Sequence, residues 1–111
     1  MTTPEETQPV SVDQLDVLIS GNRLIFALGE AEARMDYHAD GTLHVVLPGG
    51  KERHGTWTLG PGDAYTAIWS DADGPSHTCF HRDASGLIAK DAGSGEPRGR
   101  VLAIHPGQAG S

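Results

Sequence analysis

Short runs of alternating apolar and polar residues, each ended by glycine, proline or an Asp-Gly pair, limit this chain more than any other feature of it. Gly 15 and Pro 7 make up about a fifth of the 111 residues, and backbone breakers at that density leave little room for long helices. From Arg23 onward eight stretches have a mostly period-two pattern, at about 23–28, 31–38, 42–47, 52–59, 64–70, 76–82, 86–90 and 99–105. Period two is the signature of strands that bury one face. Asp40-Gly41 supplies the positive backbone angles of a tight hairpin, and Pro48-Gly49-Gly50, Gly60-Pro61-Gly62 and Asp83-Ala84-Ser85-Gly86 break the chain similarly. Connections this short join antiparallel neighbours, because parallel strands need crossovers of about a dozen residues.

One helix precedes the strands. Ser11 and Gln14 have capping-box spacing, Asp13 and Asp16 suit the first turns, and Val12, Leu15, Leu18 and Ile19 share a face that Gly21-Asn22 ends. Residues 1–10, with Pro4, Pro9, Glu5 and Glu6, read as a disordered leader. Residues 11–106 read as a single domain and 107–111 as a flexible tail. Eight sequential antiparallel strands can each bury one face by curling into an up-and-down barrel capped by the helix; a two-sheet sandwich would show the same alternation. Ala31, Ala33, Met35 and Tyr37 form the inward set of the second strand, with Leu43, Val45 and Leu47 on the third and Gly55, Trp57 and Leu59 on the fourth. The expected fold is therefore mostly β, an eight-stranded antiparallel barrel with one short N-terminal helix.

Gly21-Asn22-Arg23-Leu24, Tyr37-His38-Ala39-Asp40-Gly41-Thr42, Gly55-Thr56-Trp57, Trp69, Cys79-Phe80-His81-Arg82 and Gly86-Leu87-Ile88, in that order, resemble a loose group of small bacterial calycin-like domains of uncharacterised function. The resemblance spans roughly residues 18–90 and implies a barrel without implying an activity. Members of that group are mostly exported, and their cysteine near the sixth strand has a partner one strand earlier. Here Ala64 or Tyr65 stands where that partner would be, and no basic, apolar leader opens the sequence.

A net charge of -7, from Lys+Arg 8 against Asp+Glu 15, argues against nucleic acid, which needs clustered cations to neutralise phosphate. It argues equally against a polybasic membrane patch. No apolar run reaches the roughly 18 residues of a membrane span, and the polar, acidic start is unlike a signal peptide, so a cytoplasmic protein is expected. Cys79 is the only cysteine, which excludes an intrachain disulfide. A homodimer is expected if imperfect closure leaves a strand edge open.

The sharpest cluster is His77-x-Cys79-x-His81 on the sixth strand. Residues two apart on a strand share a face at about 6.5–7 Å, so two imidazoles and a thiol project together. Hydrogen bonding within the domain is the better expectation for them than a metal site, and no metal or cofactor is assigned. In one register Trp69, Ala67 and Tyr65 oppose His77, Cys79 and His81, building a pocket wall in which Tyr65, His77 and His81 are the candidate acid–base groups. In the other register Thr78, Phe80 and Arg82 face inward and the histidines face water. His38, His44 and His54 fall on the polar sides of three neighbouring strands, near Asp36 and Glu52. They form a surface strip that could take a metal but is better explained as solvated. Gly93 to Arg100 looks like an anion cradle and is better explained as a hairpin loop.

Two functions follow. The first is a barrel that binds a small, partly aromatic or apolar molecule among Tyr37, Trp57, Trp69 and Cys79. The second is a small cofactor-independent enzyme, an isomerase, cyclase or lyase, using Tyr65 with His77 or His81 in the same cavity.

Overall fold

The computed structural model describes residues 8–84 and 86–107. The elements are β1 (Gln8–Pro9), α1 (Val12–Ile19), β2 (Asn22–Leu28), β3 (Ala31–Tyr37), β4 (Thr42–Val46), β5 (Glu52–Leu59), β6 (Tyr65–Trp69), β7 (Ser76–Asp83), β8 (Gly86–Asp91) and β9 (Pro97–His105). From β2 to β9 each strand pairs antiparallel with the next, and β9 returns to β2. The sheet is thus a closed eight-stranded up-and-down barrel of calycin-like form rather than a sandwich. Closure removes the open edge on which a dimer was expected to depend.

Ser11 caps α1 as its spacing implies: its hydroxyl accepts from the Gln14 amide, and the Gln14 side chain accepts from the Ser11 amide. Leu15 and Ile19 are fully buried, packed in one cluster with Leu24, Tyr37, Leu43, Trp57 and Phe80. The helix therefore closes the barrel end where β2 starts and β3 ends. Gly21, at φ 76°, turns the chain into β2, and the Asn22 amide group donates to the carbonyls of Val17 and Leu18. At the start of α1, Asp63 in the β5–β6 loop accepts from the Val12 amide.

Three expectations change. Gln8–Pro9 pair with Arg82 and His81 of β7, and Val10 is buried, so ordered chain begins before residue 11. The rest of the expected leader, residues 1–7, and positions 108–111 of the expected tail lie outside the described residues. Gly107, the first tail position, donates its amide to the Asn22 side chain. Leu59, expected inward, is 39% exposed at the end of β5, where the alternation outruns the barrel wall.

Gly55 marks a tight point of the wall. It lies on the inward row of β5 between Arg53 and Trp57, and a Cβ there would sit 2.3 Å from the Ile68 carbonyl oxygen and 3.0 Å from the Trp69 Cα. Only glycine lets β5 and β6 approach this closely.

Candidate functional site: the open mouth of the barrel

Away from α1 the inward side chains do not fill the barrel. They leave a cavity of about 300 Å³ at the opposite mouth, at the small end of the roughly 300–1,000 Å³ typical of small-molecule sites. Phe26, Leu28, Met35, Val45 and Leu47 form its apolar wall, and the polar groups converge on one side from Ser76, Thr78, Arg53 and Arg98.

Tyr65 makes the floor, its hydroxyl 2.8 Å from that of Tyr37. Tyr37 lies beneath, wholly buried and edge-on to both Tyr65 and Trp57, while the Trp57 indole N–H donates to the His38 carbonyl at 2.9 Å. Burial pushes both phenols up, Tyr37 the further, so each stays protonated at neutral pH and neither is a ready base.

Two guanidinium groups frame the rim. Arg53 lies 4.5 Å above the Trp69 ring centroid and grips Asp71 of the β6–β7 loop through Nε and Nη2 at 2.8–3.1 Å. Arg98 bonds Asp91 and, at 3.0 Å, the Ser76 hydroxyl. The anion cradle read from Gly93 to Arg100 is filled from within, because Asp91 accepts the amides of Gly93 and Ser94 at 3.0 and 2.8 Å. The Ser94 amide first and Arg98 second hold the Asp91 carboxyl down at about 2. A carboxyl depressed on folding stabilises above its ordinary value of 3.8 and loses that contribution as pH falls through about 2. We therefore expect the Arg98 tie to persist at pH 4. A carbon-detected NMR titration should give Asp91 a midpoint near 2, and an ordinary midpoint would show the cradle to be loose.

The sequence-derived site divides. Tyr65 and Trp69 line the cavity; Tyr37 and Trp57 belong to the core behind its floor. His77, Cys79 and His81 do not enter it. In β6–β7 Tyr65 pairs with Thr78, Thr66 with His77 and Ala67 with Ser76, an odd shift of three from the register that opposes Tyr65 to His81. An odd shift turns every side chain over. Its cause is Phe80, which is fully buried against Phe26 and Tyr65; the strand presents one face inward, and the apolar ring has more to gain there than imidazole.

On the outer face His77 Nδ1 lies 2.9 Å from the Thr66 hydroxyl, which itself lies 2.7 Å from the Gly60 carbonyl. The hydroxyl has one proton to give the carbonyl, so His77 Nδ1 carries the hydrogen. Burial, then Lys90, lowers the His81 pKa, and burial raises that of the Cys79 thiol. A thiol raised in this way is a poor nucleophile.

The outward histidine strip is partly assembled. Across the outer wall Arg23, Asp36, His44 and His54 occupy directly paired positions on β2, β3, β4 and β5. Asp36 is buried beneath Arg23, at 2.7 Å, and Arg34. The His44 and His54 rings stack at 4.6 Å with an 11° tilt, and His44 Nε2 meets Glu52 Oε1 at 2.7 Å. His38 stands apart, half-buried at the β3–β4 turn.

Sequence reasoning missed Arg53 and Arg98 as cavity residues. The available signal was a charged residue at an inward position two residues before Gly55, and another just after Pro97 where β9 begins. No described helix is long and apolar enough to cross a membrane. Comparison with protein-family models, with curated proteins and with solved structures finds no match for this chain.

Proposed function

We propose that this protein is a small-molecule-binding barrel whose ligand enters the mouth opposite α1, apolar end first, and leaves an acidic head group beside Arg98 and Arg53. The observation that carries this reading is the polarity of the cavity: an apolar wall and aromatic floor, with two guanidiniums held in place at the rim. Asp71 and Asp91 do not exhaust them. Arg53 Nη1 makes no hydrogen bond among the described residues, and a planar guanidinium has five donors to share. The ligand class is a compact carboxylic acid or similar anion with an aliphatic or aromatic body.

Acid–base catalysis in the same cavity would need His77 or His81 beside Tyr65, and both histidines lie on the other side of the wall. The reading calls for no cofactor. A cytoplasmic location belongs to the same proposal, and the free thiol of Cys79 is compatible with it.

Octanoate and 1-octanol share a body and differ in the head. A hydrogen bond to a charged group is worth about 1.5–3 kcal/mol, so octanoate should bind the wild-type chain about 10- to 100-fold more tightly in calorimetry. In Arg98→Met that preference should shrink. Equal binding of acid and alcohol would remove the head-group assignment and leave an apolar pocket; no binding of either would remove the binding function.

A further inference from the structure

On the outer wall, on the other face of the strands that line the mouth cavity, one group of side chains gathers metal-ligating atoms. His44, Glu52 and His54 offer three ligand atoms that all lie within 4.8 Å of one another. Among the described residues no other histidine, cysteine and carboxylate group is drawn together in this way. We infer that His44, Glu52 and His54 form a surface site for a divalent transition-metal ion of the zinc type.

The placement follows from the sheet. His44 and His54 are direct cross-strand partners on β4 and β5, and Glu52, two residues before His54, shares its face. Three donors therefore rise from two hydrogen-bonded strands of a closed barrel, whose backbone does not have to move to gather them. The near-parallel rings present their edges side by side, and the Glu52 carboxylate already touches the His44 nitrogen at 2.7 Å. A zinc ion bonds imidazole nitrogen and carboxylate oxygen at about 2.0–2.2 Å. It would take the place of the proton between His44 and Glu52 while His54 rotates toward it. Glu52 and His54 are exposed, so that rotation gives up the ring contact with His44 and disturbs no core packing.

The donor set also selects the metal. Two imidazoles and one carboxylate suit zinc, copper or nickel, whereas magnesium and calcium prefer all-oxygen shells. Asp36, the cross-strand partner of His44 on β3, is taken by Arg23 and Arg34, which leaves Glu52 as the acidic ligand. Three protein ligands leave the fourth position of a tetrahedral ion to water.

The test is calorimetric titration of the full chain, without an affinity tag, with zinc chloride. One equivalent should bind, and magnesium chloride should give no heat. Loss of even an outer-shell partner typically weakens metal binding about 10- to 100-fold, so His54→Ala and Glu52→Gln should each weaken zinc at least tenfold. His77→Ala, on another strand, should leave the titration unchanged. All three variants alter outer-face groups, and circular dichroism with an unchanged melting curve shows that they fold. Absence of zinc uptake by the wild-type chain would overturn the site, and so would full affinity in His54→Ala.

Discussion

Replacing Gly55 by alanine is expected to destabilise the barrel by about 3 kcal/mol or more, the upper range of overpacking substitutions. The reason is the nature of the obstacle. The added methyl would lie 2.3 Å from the Ile68 carbonyl oxygen and 3.1 Å from its carbon, and backbone already held in a ladder cannot step aside as a flexible side chain can. Relief requires β5 and β6 to separate, which breaks pairings from Gly55–Trp69 to Leu59–Tyr65. Urea denaturation of Gly55→Ala beside Gly74→Ala, a loop position with ordinary backbone angles and nothing within 4 Å, isolates the contact. Equal midpoints for the two variants would mean that the strands do not approach as described.

Phe80→Ala should cost about 3–5 kcal/mol, as full truncation of a buried aromatic does. Phe80 has no exposure and packs edge-on to Phe26 at 6.2 Å between ring centroids, with Tyr65 beside it at 6.4 Å. His81→Ala, one residue along and on the outer face, should cost about 1 kcal/mol or less. That contrast reads the orientation of β7 directly. If His81→Ala were the costlier change, the imidazole would be the interior group and the cavity would have to be redrawn around it.

Much of this architecture is legible in the sequence because it is written locally. All eight strands of the barrel fall within two residues of where alternation and turn chemistry place them, and the Ser11–Gln14 box forms as its spacing implies. The register between β6 and β7 is not local. The loop from Ser70 to Pro75 fits either pairing, and the choice belongs to Phe80, Phe26 and Tyr65, which meet only when the barrel closes. Pro9 hides β1: a strand of two residues beside a proline has no period to detect, and it forms because β7 runs on past its pairing with β6. The cavity is hidden for a related reason. Tyr37 and Trp57 were natural choices for a binding wall, yet α1 covers their end of the barrel and turns them into core. No described helix covers the opposite mouth, and the inward residues there include Arg53 and Arg98, charges that an alternation rule assigns to solvent.

The two metal-relevant histidine groups teach the same lesson from outside. His77, Cys79 and His81 share one strand at fixed spacing and stand out in the sequence, while His44, Glu52 and His54 come from two strands and are joined only by the β4–β5 register. Cross-strand neighbours lie closer than residues two apart on one strand, about 4.5–5.5 Å against about 7 Å, so the less conspicuous set is the better placed.

The chain has two tryptophans, and they report on different places. Trp69 lines the mouth beneath Arg53, and Trp57 sits behind the Tyr37–Tyr65 floor with its N–H held by the His38 carbonyl. The most direct measurement is therefore the pair of indole N–H resonances in a proton–nitrogen correlation spectrum during titration with octanoate. The Trp69 resonance should move and saturate while that of Trp57 stays close to its free position. A Trp69 resonance unmoved at millimolar octanoate, or a shift confined to Trp57, would contradict binding at the mouth of the barrel.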